Sequence, residues 1–156
     1  MRIPIQLLYR VRSWLFATFR VKTRGVKVMV LNAAGEVLLV RNSYGKTHLH
    51  VFPGGGIRPF ESLADAARRE IREEVGIEVQ QLAFFATYHS QAEGRRDTLH
   101  LFTASTEDSP TSDSYEIAEA AFYPLDALPE TTSPATVQRI EEYRGRQPVT
   151  GLWRDD

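Results

Sequence analysis

Three glutamates, Glu70, Glu73 and Glu74, stand at i, i+3 and i+4 in a stretch free of glycine and proline. On a helix this spacing gathers three carboxylates on one side, where they repel one another unless a positive group intervenes. An all-oxygen set of this kind suits a hard divalent cation such as Mg2+. At about 100° per residue, Ala64, Ala67, Ile71 and Val75 form an apolar arc, and Asp65, Arg68, Arg69 and Arg72 form the solvent-facing one. Glu74 falls on the apolar side, between Leu63 and Ala67, so its carboxylate is aimed at the domain. Burying it unpaired would cost several kcal/mol, and a cation shared with Glu70 and Glu73 would remove both the burial penalty and the repulsion. The competing reading is a solvated helix face whose Arg–Glu pairs contribute about 0.3 to 0.5 kcal/mol each.

The frame around the glutamates decides between these readings. It runs Gly55, five residues, Glu61, seven residues, then Arg69, Glu70, Ile71, Arg72, Glu73, Glu74, Val75, Gly76 and Ile77. In this frame the chain resembles the Nudix hydrolase family, every specified position of whose signature is matched. Strict identities at roughly one in 20 each make a chance match of order one in 10⁹ per starting position. The resemblance implies an α/β (α+β) fold, the α/β/α sandwich with a mixed sheet. It also implies Mg2+-dependent hydrolysis of a pyrophosphate bond in a nucleoside diphosphate linked to another group, with Mn2+ as a substitute ion. Glu70, Glu73 and Glu74 are then the expected metal ligands, and Glu73 the expected base. Glu61 and Arg69 complete the catalytic set, Glu61 orienting Arg69 or a metal-bound water. A further ligand is expected from across the cleft, before a strand carrying Phe122 and Tyr123. Glu116 is the first choice for it and Glu119 the competitor. One position departs from the family pattern, since Phe60 stands where glycine usually precedes the first box glutamate. The alternative function is a catalytically inactive Nudix-fold module that binds nucleotide or regulates. An intact set of mutually repelling carboxylates argues against it.

Gly54, Gly55 and Gly56 let the backbone approach phosphates closely, where a side chain would obstruct. Arg41 and Lys46, which precede these glycines, are the expected phosphate donors, with Arg95 and Arg96 as further cations. Tyr44, Phe52 and Tyr88 are candidates to stack a base, against the plainer reading as core aromatics. With no cysteine and no HExxH pattern, zinc is not expected, and His48 and His50 read as strand surface or pocket lining.

These residues need a scaffold, and a length of 156 residues is enough for one domain with a single core. Strands are expected at Val26 to Asn32 and Glu36 to Arg41, joined as a hairpin through Gly35, then at His48 to Phe52, broken by Pro53 and the glycines. Others are expected at Ile77 to His89, Thr98 to Thr103 and Ala120 to Pro124. Ser62 to Val75 is the strongest helix, stopped at Gly76. A second is capped by Ser133 with Pro134 at its first position, turns Val137 and Ile140 inward and ends at Gly145. Residues 1–24 read as an amphipathic helix with Leu8, Val11, Leu15 and Phe19 on one stripe. Arg10 and Arg12 interrupt any membrane-spanning run, so the helix is expected to pack on its own domain or on a second subunit as a homodimer, with a helix lying on a membrane surface as the competing reading. The catalytic domain is placed at 25–145 and a tail at 146–156. Lys plus Arg number 19 against 20 for Asp plus Glu, which leaves no basic field for a stable nucleic-acid partner and favours a small nucleotide. The absence of cysteine makes a cytoplasmic location the simplest expectation.

Overall fold

The computed structural model describes residues 23–90, 96–112 and 114–154. Within them one mixed sheet contains β1 (Thr23–Leu31), β2 (Val37–Asn42), β3 (His50–Val51), β4 (Gly54–Gly56), β5 (Gln80–Ser90), β6 (Asp97–Ser105) and β7 (Ile117–Tyr123). Helix α1 (Leu63–Val75) lies between β4 and β5 in the chain, and α2 (Pro134–Tyr143) follows β7. The expected N-terminal helix lies almost wholly outside the described residues. No described helix is long and apolar enough to cross a membrane.

Period-two alternation along the central strands builds a core on each face. Val26, Val28 and Val30 of β1 and Leu38 and Val40 of β2 pack with Ala67, Ile71 and Val75 of α1. The intervening Met29, Val37 and Leu39 join Tyr88, Leu101, Ile140 and Trp153 on the face covered by α2. The result is the expected sandwich, helix on sheet on helix.

The β1–β2 hairpin forms at its turn and then parts. Leu31 pairs with Val37, but the rest of β1 runs parallel to β6, while β2 pairs with β3 and β7. The start of β1 is taken on its other edge by β4, with Val26 opposite Gly55 and Lys27 opposite Gly54. The three glycines, expected to break the preceding strand and to bring backbone close to phosphates, form a short strand of their own. Gly54 has φ 153, and a Cβ there would collide with the Val26 carbonyl, so glycine is required for the two backbones to lie this close.

Other boundaries shift for tertiary reasons. β5 begins at Gln80 because Ile77 and Val79 are buried against the α1 core before the strand pairs. β3 shrinks to two residues, and β7 begins at Ile117 rather than Ala120. In α2, Ile140 is buried as expected, but Val137 is 38% exposed and Ala135, Thr136 and Arg139 face inward instead. The stretch expected as a tail docks on the sheet edge: the His89 N–H donates to the Gly151 carbonyl and the Trp153 N–H to the His89 carbonyl, both at 2.9 Å.

Candidate active site

Helix α1 carries the glutamates, and its ends are fixed locally. The Ser62 hydroxyl accepts from the Asp65 N–H at 3.1 Å, and Gly76 at φ 68 closes the helix by donating its N–H to the Arg72 carbonyl. Burial of Ala67, Ile71 and Val75 sets the rotation of the helix, and that rotation carries Glu74 into the interior with them. Among the described residues its one hydrogen bond comes from the Gly54 N–H, at 2.9 Å. Burial pushes the Glu74 carboxyl up to about 7, against the opposing pull of the Lys27 ammonium and the Gly54 N–H.

Arg69 organises the other carboxylates. The helical wheel puts it on the solvent arc, yet its side chain is only 14% exposed, because the segment from Gly56 to Glu61 folds over that side of α1. Its Nε and Nη2 donate to the two Glu61 oxygens at 2.7 and 2.9 Å, a bidentate pair. Nη1 donates to Glu70 at 2.7 Å and to Glu73 at 3.3 Å, and Nη2 also reaches the Gly56 carbonyl at 2.9 Å. The guanidinium, helped by the Arg58 backbone N–H, holds the Glu61 carboxyl down to about 2. Burial raises the Glu70 carboxyl, with Arg69 opposing. Glu73 is about half exposed and also accepts from Arg58 Nη2 at 3.2 Å. Gly55 lies directly under Glu70: a Cβ there would come within 2.5 Å of the carboxylate.

Phe60 explains why the family prefers glycine at its position. It has φ 62, the left-handed region, and its side chain is wholly exposed. With phenylalanine at this position Glu61 reaches Arg69.

Across the helix, a bulge on β7 separates the two outlying glutamates. Arg41 pairs with Glu119 but Asn42 pairs with Ile117, leaving Ala118 as the extra residue. Without it Ile117 and Glu119 would share a face. With it Ile117 packs in the α1 core, while Glu119 turns to Tyr123 and His50, accepting from the Tyr123 hydroxyl at 2.8 Å with His50 Nε2 at 3.3 Å. Those hydrogen bonds hold the Glu119 carboxyl below its ordinary range. Glu116, just before the bulge, lines the same cleft as Glu70, Glu73 and Glu74.

That cleft, about 630 Å³, opens where β1 and β2 part. Its floor includes Gly54, Gly55, Gly56 and Phe52, and its wall includes Val40, Asn42 and Tyr44. Among the described residues no three carboxylates or imidazoles stand in a ready-made metal-holding arrangement, since Glu70 and Glu73 are turned onto arginines. The donor set nonetheless fits a hard cation: four carboxylates line one cavity, and the Glu70 and Glu74 carboxyls both feel Glu116 as well as each other or Glu73.

The expected phosphate donors do not line the cleft. Arg41 Nε donates to Glu119 at 3.2 Å and Nη1 to the Thr47 carbonyl, and Lys46 lies in the exposed loop after β2. The cations that do line it, besides Arg69, are Lys27 and Arg58. Lys27 donates to the Phe52 carbonyl at 3.1 Å and has no ion pair within 4 Å among the described residues. Its only signal in the sequence is a charge between two valines, which reads as ordinary alternation. Arg95 lies outside the described residues, and Arg96 is exposed away from the cavity lining. Of the aromatics, Tyr44 and Phe52 reach the cleft. Tyr88 does not: it is buried on the α2 face, donating its hydroxyl to Glu142 at 2.6 Å. His48 is exposed, and His50 is buried with Nδ1 at 2.7 Å from the Thr131 hydroxyl.

A family model described as NUDIX domain matches residues 21–143. Over 135 residues the chain is 33% identical to a protein of Bacillus subtilis (strain 168) whose name proposes an 8-oxo-dGTP diphosphatase, covering 85% of this chain and 88% of that one. It is 27% identical over 120 residues to the CTP pyrophosphohydrolase of Escherichia coli (strain K12), covering 76% and 89%. The fold superposes on a MutT NUDIX hydrolase from Burkholderia pseudomallei with a TM-score of 0.70 at 21% identity, covering 78% of this chain and 97% of that one, a likeness of fold alone. The complete glutamate frame on α1, the family match over most of the chain and the relative at 33% identity agree, and the chain belongs to the Nudix hydrolase family.

Proposed function

We propose that the cleft hydrolyses a pyrophosphate bond in a nucleoside diphosphate linked to another group, with Mg2+ held by Glu70, Glu73, Glu74 and Glu116. The observation that carries this reading is Glu74: a buried carboxylate, aimed into a cavity that three other carboxylates line, with one backbone N–H as its hydrogen-bond partner among the described residues. A bound divalent cation would neutralise the anhydride oxygens and lower the pKa of an attacking water.

The chain's own groups supply the rest. The glycine strand lays bare backbone along the cleft beside Glu70, where a side chain at Gly55 would strike the carboxylate, and so leaves room for phosphates to approach. Lys27 and Arg58 offer donors to phosphate oxygens, and in the cavity they take the part expected of Arg41 and Lys46. Glu73, accessible to solvent, accepts the proton of the attacking water. Glu61 and Arg69 are positioning residues: the bidentate pair fixes the guanidinium, which in turn sets the rotamers of Glu70 and Glu73.

The names of the relatives support nucleotide substrates of differing base. The test is a panel of nucleoside triphosphates, dinucleoside polyphosphates and nucleotide sugars incubated with Mg2+, with phosphate, pyrophosphate and nucleoside monophosphate quantified. Hydrolysis of at least one member, abolished by chelator, is expected. Saturable nucleotide binding without turnover across the panel would overturn the reading in favour of a binding module.

A further inference from the structure

The carboxylates, Lys27 and the glycine strand account for the phosphate part of the cleft but not for its remaining wall. Asn42 is the one carboxamide that lines the cavity, and among the described residues its side chain makes no hydrogen bond. A carboxamide offers a donor beside an acceptor, the complement of the edge of a nucleobase. Asn42 is also held in place. It ends β2 opposite the β7 bulge and pairs with Ile117, and the next residue, Ser43, donates its N–H to the Glu116 carbonyl at 2.9 Å. The segment that carries the amide is thereby tied to the segment that carries Glu116. Tyr44, two residues on, also lines the cavity and brings an aromatic ring to it.

We infer that Asn42 and Tyr44 form the base-recognition wall of the cleft, Asn42 by hydrogen bonds to the edge of the base and Tyr44 by stacking on its face. The inference rests on the pyrophosphohydrolase reading and names which side chains select its substrate. Arg41 and Glu119, one position away on the same paired strands, belong to the opposite face and take no part.

The experiment compares the nucleoside triphosphate that the full-length protein hydrolyses best with inorganic tripolyphosphate, which offers the same anhydrides without a base. Asn42→Ala is expected to raise KM for the nucleotide about 10- to 100-fold with kcat nearly unchanged, and to leave tripolyphosphate hydrolysis as it was. Tyr44→Ala should act in the same direction, and Tyr44→Phe should restore the wild-type KM. Asn42→Asp is nearly isosteric and carries the comparison if the alanine variant is unstable. Its two acceptors should shift relative kcat/KM towards guanine, whose edge offers two adjacent donors. An equal loss with both substrates, or no change with either, would overturn the inference. If the wild-type protein hydrolyses neither compound nor any other nucleotide, the pyrophosphohydrolase reading itself has failed, a result distinguishable from wild-type kinetics in the Asn42 variants.

Discussion

At the scale of single residues, the site combines carboxyls held in opposite states. Glu61, bidentate to Arg69, is kept ionised down to about 2, while burial lifts Glu74 to about 7. For Glu74 the folded protein binds the proton more tightly than the unfolded chain, whose carboxyl titrates near 4.5. Stability of the metal-free protein should therefore fall as pH rises from about 4.5 through 7, by on the order of 3 kcal/mol from this group. Glu61 has the opposite sign: its contribution is complete above about 4.5 and is lost as pH falls towards 2. Denaturant unfolding of chelator-treated protein between pH 4.5 and 8 should show the fall, and Glu74→Gln should flatten it. Parallel profiles for variant and wild type would refute the burial argument. Glu73 behaves differently, being half exposed, so Glu73→Gln should leave the melting temperature within a few degrees and lower turnover by about 10² to 10⁴. Turnover near wild type would remove Glu73 from the chemistry. The sequence made Glu70, Glu73 and Glu74 legible because fixed spacing on a helix translates directly into geometry, whereas Glu116 and the inward turn of Arg69 were indicated only by the family resemblance. It hid Lys27 and misdirected Arg41, because the partner of a strand residue depends on which strand lies alongside.

At the scale of elements, the loop from Gly56 to Ser62 does two things at once: it folds over Arg69 and it caps α1. Phe60 sits within it at φ 62 with its ring in solvent. Phe60→Gly should relieve the left-handed strain and, after the greater chain entropy of glycine, raise stability by about 0.5 to 1 kcal/mol. Phe60→Ala keeps a Cβ at the same φ and should give no such gain. Thermal melting of the two variants separates them, and equal melting points would show that the backbone conformation is not the source of the strain. The β7 bulge is the second decisive element, since one extra residue, Ala118, turns Glu119 away from the cleft that Glu116 lines. Composition and alternation place both glutamates in one acidic stretch, and a bulge leaves no mark there. The two helices among the described residues were legible to within about two residues because their caps are chemical signals, Ser62 with Gly76 and Ser133 with Pro134. Strand limits were less so, because the parting of β1 from β2 is set by competition among β4, β6 and β7 for their edges.

At the scale of the molecule, the sheet separates chemistry from support. The α1 face carries the cleft's carboxylates, and the cleft also reaches Phe52, which packs in the α2-face core. The α2 face holds a buried pair, Arg139 with Glu142 at 3.0 Å, on which Tyr88 and the chain end converge. Arg139 donates to the Leu152 carbonyl at 2.6 Å, and its guanidinium lies 4.3 Å from the Tyr88 ring centre. Removing residues 147–156 would take away that carbonyl and Trp153 and leave Arg139 short of a partner in a buried setting. The truncated protein should lose about 3 kcal/mol or more of stability, read by denaturant unfolding, and retain turnover at low temperature because none of the cleft's carboxylates or cations lies in the removed segment. Unchanged stability would mean that the chain end is not part of the core. This dependence was illegible in the sequence, where residues 146–156 read as a tail, since no local pattern announces that a terminal segment will pair with a strand edge. In the proposed reaction water attacks a phosphorus atom held in the cleft beside α1. Turnover in ¹⁸O-labelled water, followed by mass spectrometry of the products, tests it most directly. Wild-type protein with Mg2+ should place one labelled oxygen on one of the two phosphate-bearing products, and Glu73→Gln should slow its appearance in proportion to turnover. Recovery of bound but intact, unlabelled nucleotide from the wild-type protein would contradict it.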